Sequence, residues 1–551
     1  MKHNIIDLIK KNYVILSLLV LILFLGLYLR IYNLDFPSIG YHNMKENEYL
    51  CEAKYYYDTN SDLLRRVLCI FGMYDGPGYF EEYPQMPILP WAIYLMWKIF
   101  GMHFWAARII IILFSLSTIV LMYLIAKQLT NNRYISLLSS FLIAIMPLNV
   151  FFGRNIQPET PALAFLMFAI YFYLKWTNDF KIRQLLLCSI GLMFTALFKY
   201  TFLIGAIPLL FITPYKEIML HLKSAEKRND LVKQALFSAI PLTIPFIWIW
   251  ITNNFLNVLE KGDVLGGTFS RISLFRVFTS GYWNEFWPAF SGYFKDNWTW
   301  WFFWFAILGG LLLLLKYKSK VSKFVLGYFI ALIPYSMILS DYIKAHSYYQ
   351  MPFVPLVCIS SAYLIYTIGS VLNQIIKIKH LAYISLALLI PAIPDVQDST
   401  DRQYSTIFYG LDVAGQYIQE NSNPYDRFFI FGHSQTVGVC FNSDRRCGGV
   451  VNLSDFKRGE QDLNFSWVFI HGDYGMYELQ KQNATWEYVQ NNYKVAQIGF
   501  FKTEKGAAVQ YYILKKGGKL NLTEIAAKPI KIGKTYKTKH GDITLYTVSN
   551  D

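Results

Sequence analysis

Glu46 and Glu48 stand two residues apart in Tyr41-His-Asn-Met-Lys-Glu-Asn-Glu-Tyr49, beside His42 and Lys45. A carboxylate there can take the proton of a hydroxyl or amine as that group attacks an electrophile. A solvated loop face is the competing reading. Gly153-Arg-Asn-Ile-Gln-Pro-Glu159 puts Glu159 at the start of an apolar run, where the helix dipole favours negative charge. Arg154 lies five residues before it. Lys199 closes another apolar run in Phe198-Lys-Tyr-Thr201, and Lys344, His346, Tyr348 and Tyr349 precede a third in Lys344-Ala-His-Ser-Tyr-Tyr-Gln-Met-Pro352. These cations fit an anion at a membrane surface, such as a lipid phosphate; snorkelling of long basic side chains is the alternative. No compact His/Cys/Asp cluster has metal-ligand spacing.

The elements that position these residues are read from composition. Of 551 residues, 54% are hydrophobic and only 16% charged, and mean hydropathy is +0.29. That excludes an average soluble enzyme and predicts an α-helical polytopic membrane protein with an appended domain. The net charge of +14 would suit nucleic acid. The Lys and Arg residues instead cluster in short loops between apolar runs, and no nucleic-acid-binding motif is present.

About eleven spans are expected, near Tyr13–Tyr32, Phe104–Ala126, Ile135–Val150, Glu159–Leu174, Gln184–Phe198, Thr201–Thr213, Gln234–Thr252, Trp298–Leu315, Phe324–Leu339, Met351–Val371 and Leu381–Ile393. Basic loops such as Lys175 to Arg183, Lys216 to Lys233 and Lys316 to Lys323 alternate with connections poor in charge. This predicts a cytoplasmic N-terminus and an extracytoplasmic C-terminal domain. Two outer connections, about Asn33 to Phe104 and about Asn253 to Asn297, are too long for turns. Within the first, Pro87–Gly101 reads as an interfacial or re-entrant helix with Trp91, Tyr94 and Trp97 at headgroup level. The expected division is a membrane module over 1–393, containing an outer loop over 33–103, and an α/β domain over 394–551. In that domain Ile407–Asn421 reads as a helix. Arg427–Gly432, Trp467–His471, Tyr493–Phe500, Ala508–Leu514 and Ile543–Val548 read as strands. Cys188 and Cys358 read as buried small hydrophobes. Cys51 with Cys69, and Cys440 with Cys447, are candidate disulfides. Asn297, Asn452, Asn464, Asn483 and Asn521 each begin an N-x-Ser/Thr triplet.

In order along the chain come the first helix, the acidic loop, Tyr83-Pro-Gln-Met-Pro87, Gly101…Ala106-Ala-Arg108, Arg154…Pro158-Glu159, Lys199 and His346…Tyr348-Tyr-Gln-Met-Pro352. This series resembles the GT-C membrane glycosyltransferases, in particular the dolichyl-phosphate-mannose–protein mannosyltransferase superfamily, which includes bacterial aminoarabinose transferases to lipid A. The resemblance covers roughly Tyr13–Val371. It implies inverting transfer of a sugar from a polyprenyl-phosphate donor to a protein, glycolipid or glycan acceptor on the extracytoplasmic side. Lys199 would hold the donor phosphate, with Arg154, Lys344 or His346 helping and Tyr348 and Tyr349 beside them. Glu46 or Glu48 would be the base, Glu159 would orient the acceptor or Glu46, and His42, Lys45 and Tyr49 would be acceptor-side loop residues. The sequence departs from the family pattern in three places. Lys45 stands where an Asp is usual, Pro84 and Pro87 are spaced apart, and Glu159 replaces an Asp. The lipid phosphate is already a leaving group, so the implied chemistry requires no metal or other cofactor. The expected partners are membrane lipid, the lipid-linked donor and the acceptor. An oligosaccharide ligase would place its large loop late in the bundle. A transporter or flippase would carry mid-membrane acids and inverted repeats, and neither is visible here.

Overall fold

The computed structural model of the chain describes residues 2–60, 86–256, 276–338, 346–377, 381–504 and 506–550. They group into two compact units. The first holds the N-terminal helix and the described parts of Glu82–Leu89 and Ala107–Gln403. The second holds those of Asp35–Glu81, Pro90–Ala106 and Tyr404–Asp551. The acidic helix Asn43–Thr59 therefore groups with the C-terminal residues.

Among the described residues six helices are long and apolar enough to cross a membrane: Tyr13–Arg30, Phe104–Thr130, Ile182–Ile212, Ala225–Ile251, Tyr282–Leu314 and Ser347–Ile376. About eleven were expected, and local geometry accounts for part of the difference. Arg133–Ile145 has 13 residues, about 20 Å of helix against a hydrocarbon core of about 30 Å. Leu381–Leu389 is a nine-residue 3-10 turn. The spans expected at Gln184–Phe198 and Thr201–Thr213 fall in one apolar stretch. Its helix stops at Lys199, whose backbone is extended (φ −158°, ψ 92°), and resumes as a 3-10 turn over Tyr200–Ala206. The end of the second outer loop is helical, because the aromatic-rich helix Trp287–Leu314 begins well before Trp298.

Burial orders the bundle. The apolar window of Ser347–Ile376 is 83% buried and forms its centre, whereas that of Tyr13–Arg30 is 11% buried. A Cβ on Gly309 would collide with the Ser360 carbonyl, so glycine lets the helices Trp287–Leu314 and Val354–Ile376 approach closely. Arg30, fully buried at the end of the first helix, pins the next helical ends. Its guanidinium donates to Ser115 Oγ (2.7 Å) and to the carbonyls of Gly26 (2.8 Å), Ala144 (3.0 Å) and Asn149 (3.0 Å). The Asn132 side chain caps Arg133–Ile145 by accepting from the Tyr134 and Ile135 amides.

The second unit is built on a seven-stranded sheet: β1 Arg427–Phe431, β2 Cys447–Gly448, β3 Phe465–His471, β4 Tyr493–Thr503, β5 Gly506–Lys516, β6 Lys531–Thr538 and β7 Gly541–Ser549. Its order is β2-β1-β3-β5-β4-β7-β6, with β2 and β3 parallel to β1 and the other pairs antiparallel. Period-two alternation divides the core. Phe428, Ile430, Trp467 and Phe469 face one layer with Leu411, Ile418, Ile39 and Cys51. Phe429, Phe431, Val468 and Ile470 face the other with Phe456, Leu479 and Val489. Ile39 and Cys51 thus bury part of the acidic-loop segment against the sheet. The five expected strands are present. β2 is two residues long, and β6 is a Lys-bearing edge strand whose exposed residues carry little apolar signal. The helix expected over Ile407–Asn421 starts at Leu411, because Gly410 takes a left-handed φ of 89°.

Cys440 and Cys447 form a disulfide with Cα atoms 5.9 Å apart. Cys69, the expected partner of Cys51, lies outside the described residues, as do Pro84 and Lys344. Four of the N-x-Ser/Thr asparagines have structural duties; Asn464 donates to Tyr425 O at 3.3 Å and Asp426 Oδ1 at 3.1 Å. Asn297 is buried and donates to Ser347 O and Gln350 Oε1, both at 2.9 Å. Asn452 and Asn521 are helix N-caps.

Candidate active site

Within the first unit four predicted residues converge. Glu159 opens the helix Glu159–Asp179, following Pro158. Thr160 Oγ1 donates to Phe152 O at 2.6 Å and fixes the turn that leads into it. Lys199 Nζ lies 3.0 Å from Glu159 Oε1, with the side chains only 12% and 3% exposed. Glu159 Oε2 is buried and meets no hydrogen-bond donor among the described residues. The Lys199 ammonium also lies 5.1 Å from the Tyr348 ring centroid and 5.4 Å from that of Tyr349, a cation–π geometry. Breaking the helix at Lys199 is what delivers this cation at a helical end.

The tyrosines ride on a buried 3-10 turn, Ser347–Phe353. His346 stacks on Tyr348 at 5.0 Å, and Phe152 meets the same ring edge-on at 5.7 Å. Sequence reasoning missed the groups that hold this turn. Tyr335 Oη donates to Tyr349 O at 2.7 Å. Asn297 binds Ser347 O and Gln350, and Gln350 Nε2 donates to Phe290 O at 2.8 Å. Thr299, two residues past Asn297, interrupts its helix at φ 61°, ψ 159°. That φ/ψ region is rare outside glycine and recurs near functional sites. The side chains of Asn297 and Gln350 are polar and buried in an apolar run, the one signal that could have found them.

Arg154, expected to help bind an anion, also has a structural role. Its guanidinium donates to the carbonyls of Tyr32 and, at 3.3 Å, Asn33, tying the Glu159 segment to the end of the first helix.

In the second unit Glu46 sits in the first turn of Asn43–Thr59, 5% exposed, and accepts from Ser38 Oγ at 2.7 Å. Asn47 Nδ2 holds the Ser38 carbonyl at 2.9 Å, so the hydroxyl is itself positioned. Glu48 differs. It pairs with Lys45 at 2.7 Å, and both are partly exposed, the usual arrangement of a solvated helix face. His42, at φ 61°, begins the turn beside Tyr41, and Tyr49 is buried.

A buried carboxylate–ammonium pair is costly in an apolar bundle and unnecessary for its packing, which makes function the default reading. A cation over two phenol faces can receive an anion, and a buried carboxylate that accepts from a hydroxyl can take up a proton.

A family model described as dolichyl-phosphate-mannose-protein mannosyltransferase matches residues 83–250. Three similar solved structures include the Archaeoglobus fulgidus oligosaccharyltransferase, with a TM-score of 0.58 at 15% identity, covering 90% of this chain and 73% of that one. ArnT from Cupriavidus metallidurans in the apo state gives 0.52 at 13% identity, covering 98% of each chain. The same protein bound to undecaprenyl phosphate gives 0.51 at 11%, covering 96% and 97%. The fold is that of the GT-C membrane glycosyltransferases. The resemblance read from the ordered motifs therefore holds for the GT-C fold. Arg154, Glu159 and Lys199 fall inside the segment matched by the family model, whereas Glu46, Tyr348 and Tyr349 lie outside it. An uncharacterised protein of Aquifex aeolicus is 26% identical over 159 residues, so the match spans 29% of this chain and 29% of that protein.

Proposed function

We propose that the chain is an inverting glycosyltransferase that moves a sugar from a polyprenyl-phosphate-linked donor to a protein, glycolipid or glycan acceptor on the extracytoplasmic face. The observation that carries this reading is the buried Lys199–Glu159 pair beneath Tyr348 and Tyr349. The ammonium has three N–H donors. It can keep Glu159 and donate to a phosphate oxygen as well. When the bond from the anomeric carbon to the phosphate oxygen breaks, the lipid phosphate gains one negative charge, and Lys199 is placed to stabilise it. Glu46 takes the acceptor's proton as its oxygen or nitrogen attacks from the opposite face, which inverts the anomeric centre. Ser38 orients that carboxylate. Glu48, already paired with Lys45, is the poorer candidate for the base.

Two further observations support the reading. A hollow of about 50 Å³ between helices is walled by Phe294, Trp298, Phe303, Phe329, Phe353 and Leu356, a lining compatible with hydrocarbon. A protein of similar fold was solved with undecaprenyl phosphate bound. In this reading the basic loops face the cytoplasm, and the second unit lies outside the cell membrane.

The test is steady-state transfer from a radiolabelled polyprenyl-phosphate sugar by the protein in nanodiscs. Lys199→Met should raise the apparent KM for donor and lower kcat, and Glu46→Gln should lower kcat with donor KM unchanged. Wild-type kinetics in Lys199→Met would remove the donor-phosphate assignment.

A further inference from the structure

The second unit contains a cavity of about 510 Å³ where the C-terminal half of Asn43–Thr59 meets Pro424–Arg427 and the helix Gly438–Ser443. That volume lies in the range of ligand sites, and no step above uses it. We infer that this cavity is a binding site for a neutral oligosaccharide, a subsite for the part of a glycan acceptor remote from the reacting group.

The walls decide the ligand class. Lys54 bridges Asp58 at 2.5 Å and Asp444 at 2.9 Å, each through one carboxylate oxygen. Both carboxylates remain nearly half exposed, at 46% and 48%, and so present acceptors to a ligand. The Arg445 guanidinium is committed to structure: it donates to Ser422 Oγ and to the carbonyls of Ser422 and Gln419, closing the end of the helix Leu411–Asn421. Asp426 is held by the Asn423 amide and by Asn464 Nδ2. Arg427 and Arg446 also line the cavity. Tyr55 supplies one aromatic wall, and Tyr425, 85% exposed, stands at the rim.

An anionic ligand would meet Asp58, Asp426 and Asp444; a cationic one would meet Lys54, Arg427, Arg445 and Arg446. An apolar ligand would strand all seven charges. Vicinal hydroxyls are donors and acceptors at once and suit a lining of mixed charge with half-exposed carboxylates. The C–H face of a pyranose ring suits an exposed phenol ring. The cavity is distinct from the proposed base. Tyr55 lies nine residues, about 14 Å, further along the helix than Glu46, and Lys54, Tyr55 and Asp58 are turned about 80–180° from it. It therefore holds a distal part of a chain, not the attacking hydroxyl. Its use in transfer rests on the glycosyltransferase reading; binding itself does not.

The experiment is saturation-transfer NMR and calorimetry on the full chain in nanodiscs, without donor, using mannotriose and maltotriose as neutral probes. Inorganic phosphate and spermine are the charged controls. At least one trisaccharide should bind with Kd on the order of millimolar or tighter. Tyr425→Ala and Asp58→Asn should each weaken it about tenfold, with melting temperature unchanged. Lys199→Met should bind the trisaccharide as wild type does, which separates this site from the donor reading. Retained affinity in both cavity variants, absence of binding by either trisaccharide, or arginine-dependent binding of phosphate alone would overturn the proposal.

Discussion

Replacing Lys199 with Met removes the ammonium but keeps most of the side chain's length. Glu159 is then left with its carboxylate 3% exposed, one oxygen meeting no donor among the described residues and the other newly stripped of its cation. Breaking a buried pair in this way costs about 3–5 kcal/mol, because the remaining charge cannot reach water. The converse variant, Glu159→Gln, should cost less. Lys199 is 12% exposed, lies at a break in its helix and keeps two aromatic faces. The double variant removes both charges, so its cost should fall short of the summed single costs by about 2–3 kcal/mol. Equilibrium unfolding in mixed detergent micelles, followed by tryptophan fluorescence, measures all four proteins. Single costs that add to within about 0.5 kcal/mol would show that the two side chains do not interact, and the reasoning would fail.

Three predictions concern the second unit. The Cys440→Ser, Cys447→Ser double variant opens a small loop, with seven residues separating the cysteines in sequence; it should lose about 2–3 kcal/mol under oxidising conditions and nothing under reducing ones, read by thermal unfolding. Asp412→Ala strands the buried Tyr536 hydroxyl, which donates to Asp412 at 2.6 Å, and should cost about 1–3 kcal/mol by denaturant titration; the half-exposed Lys534 contact to the same carboxylate adds little. Burial, with a smaller contribution from His433, pushes the His471 imidazole down to about 4, against the opposing hydrogen bond to the Tyr409 backbone. Its folded pKa lies below the unfolded value, so the unfolded chain binds more protons between the two. Stability should therefore fall by up to about 3 kcal/mol as pH drops from about 6.5 to about 4. His471→Gln should flatten that part of the curve, and an unchanged pH profile in this variant would refute the assignment.

How much could be read in advance follows from where each signal resides. Long apolar runs such as Phe104–Thr130 and alternating strands such as Phe428 to Phe431 declare themselves, because their periodicity is local. The Lys199–Glu159 contact spans forty residues; charge at two helix ends suggested it, and only the fold supplied the distance. The grouping of Asn43–Thr59 with the C-terminal sheet was not legible, because Ile39 and Cys51 look like ordinary loop residues until the sheet face they cover exists. Ser38 beside Glu46, and Asn297 beneath the tyrosine turn, were hidden for the same reason: a hydrogen-bond partner eight or fifty residues away leaves no pattern in a window. Arg154 drew attention through its charge; that its guanidinium also meets carbonyls at the end of the first helix depends on partners 122 and 121 residues away.

In the proposed reaction a sugar–phosphate bond on a lipid carrier breaks beside Lys199. The most direct measurement is release of polyprenyl phosphate from a radiolabelled polyprenyl-phosphate sugar in nanodiscs, comparing wild type, Lys199→Met and Glu46→Gln. Acceptor-dependent release with an inverted anomeric centre is predicted for wild type, and turnover lower by about a hundredfold in Lys199→Met. Passage of the intact donor across a liposome bilayer with no bond broken, or equal release by wild type and Lys199→Met, would contradict it.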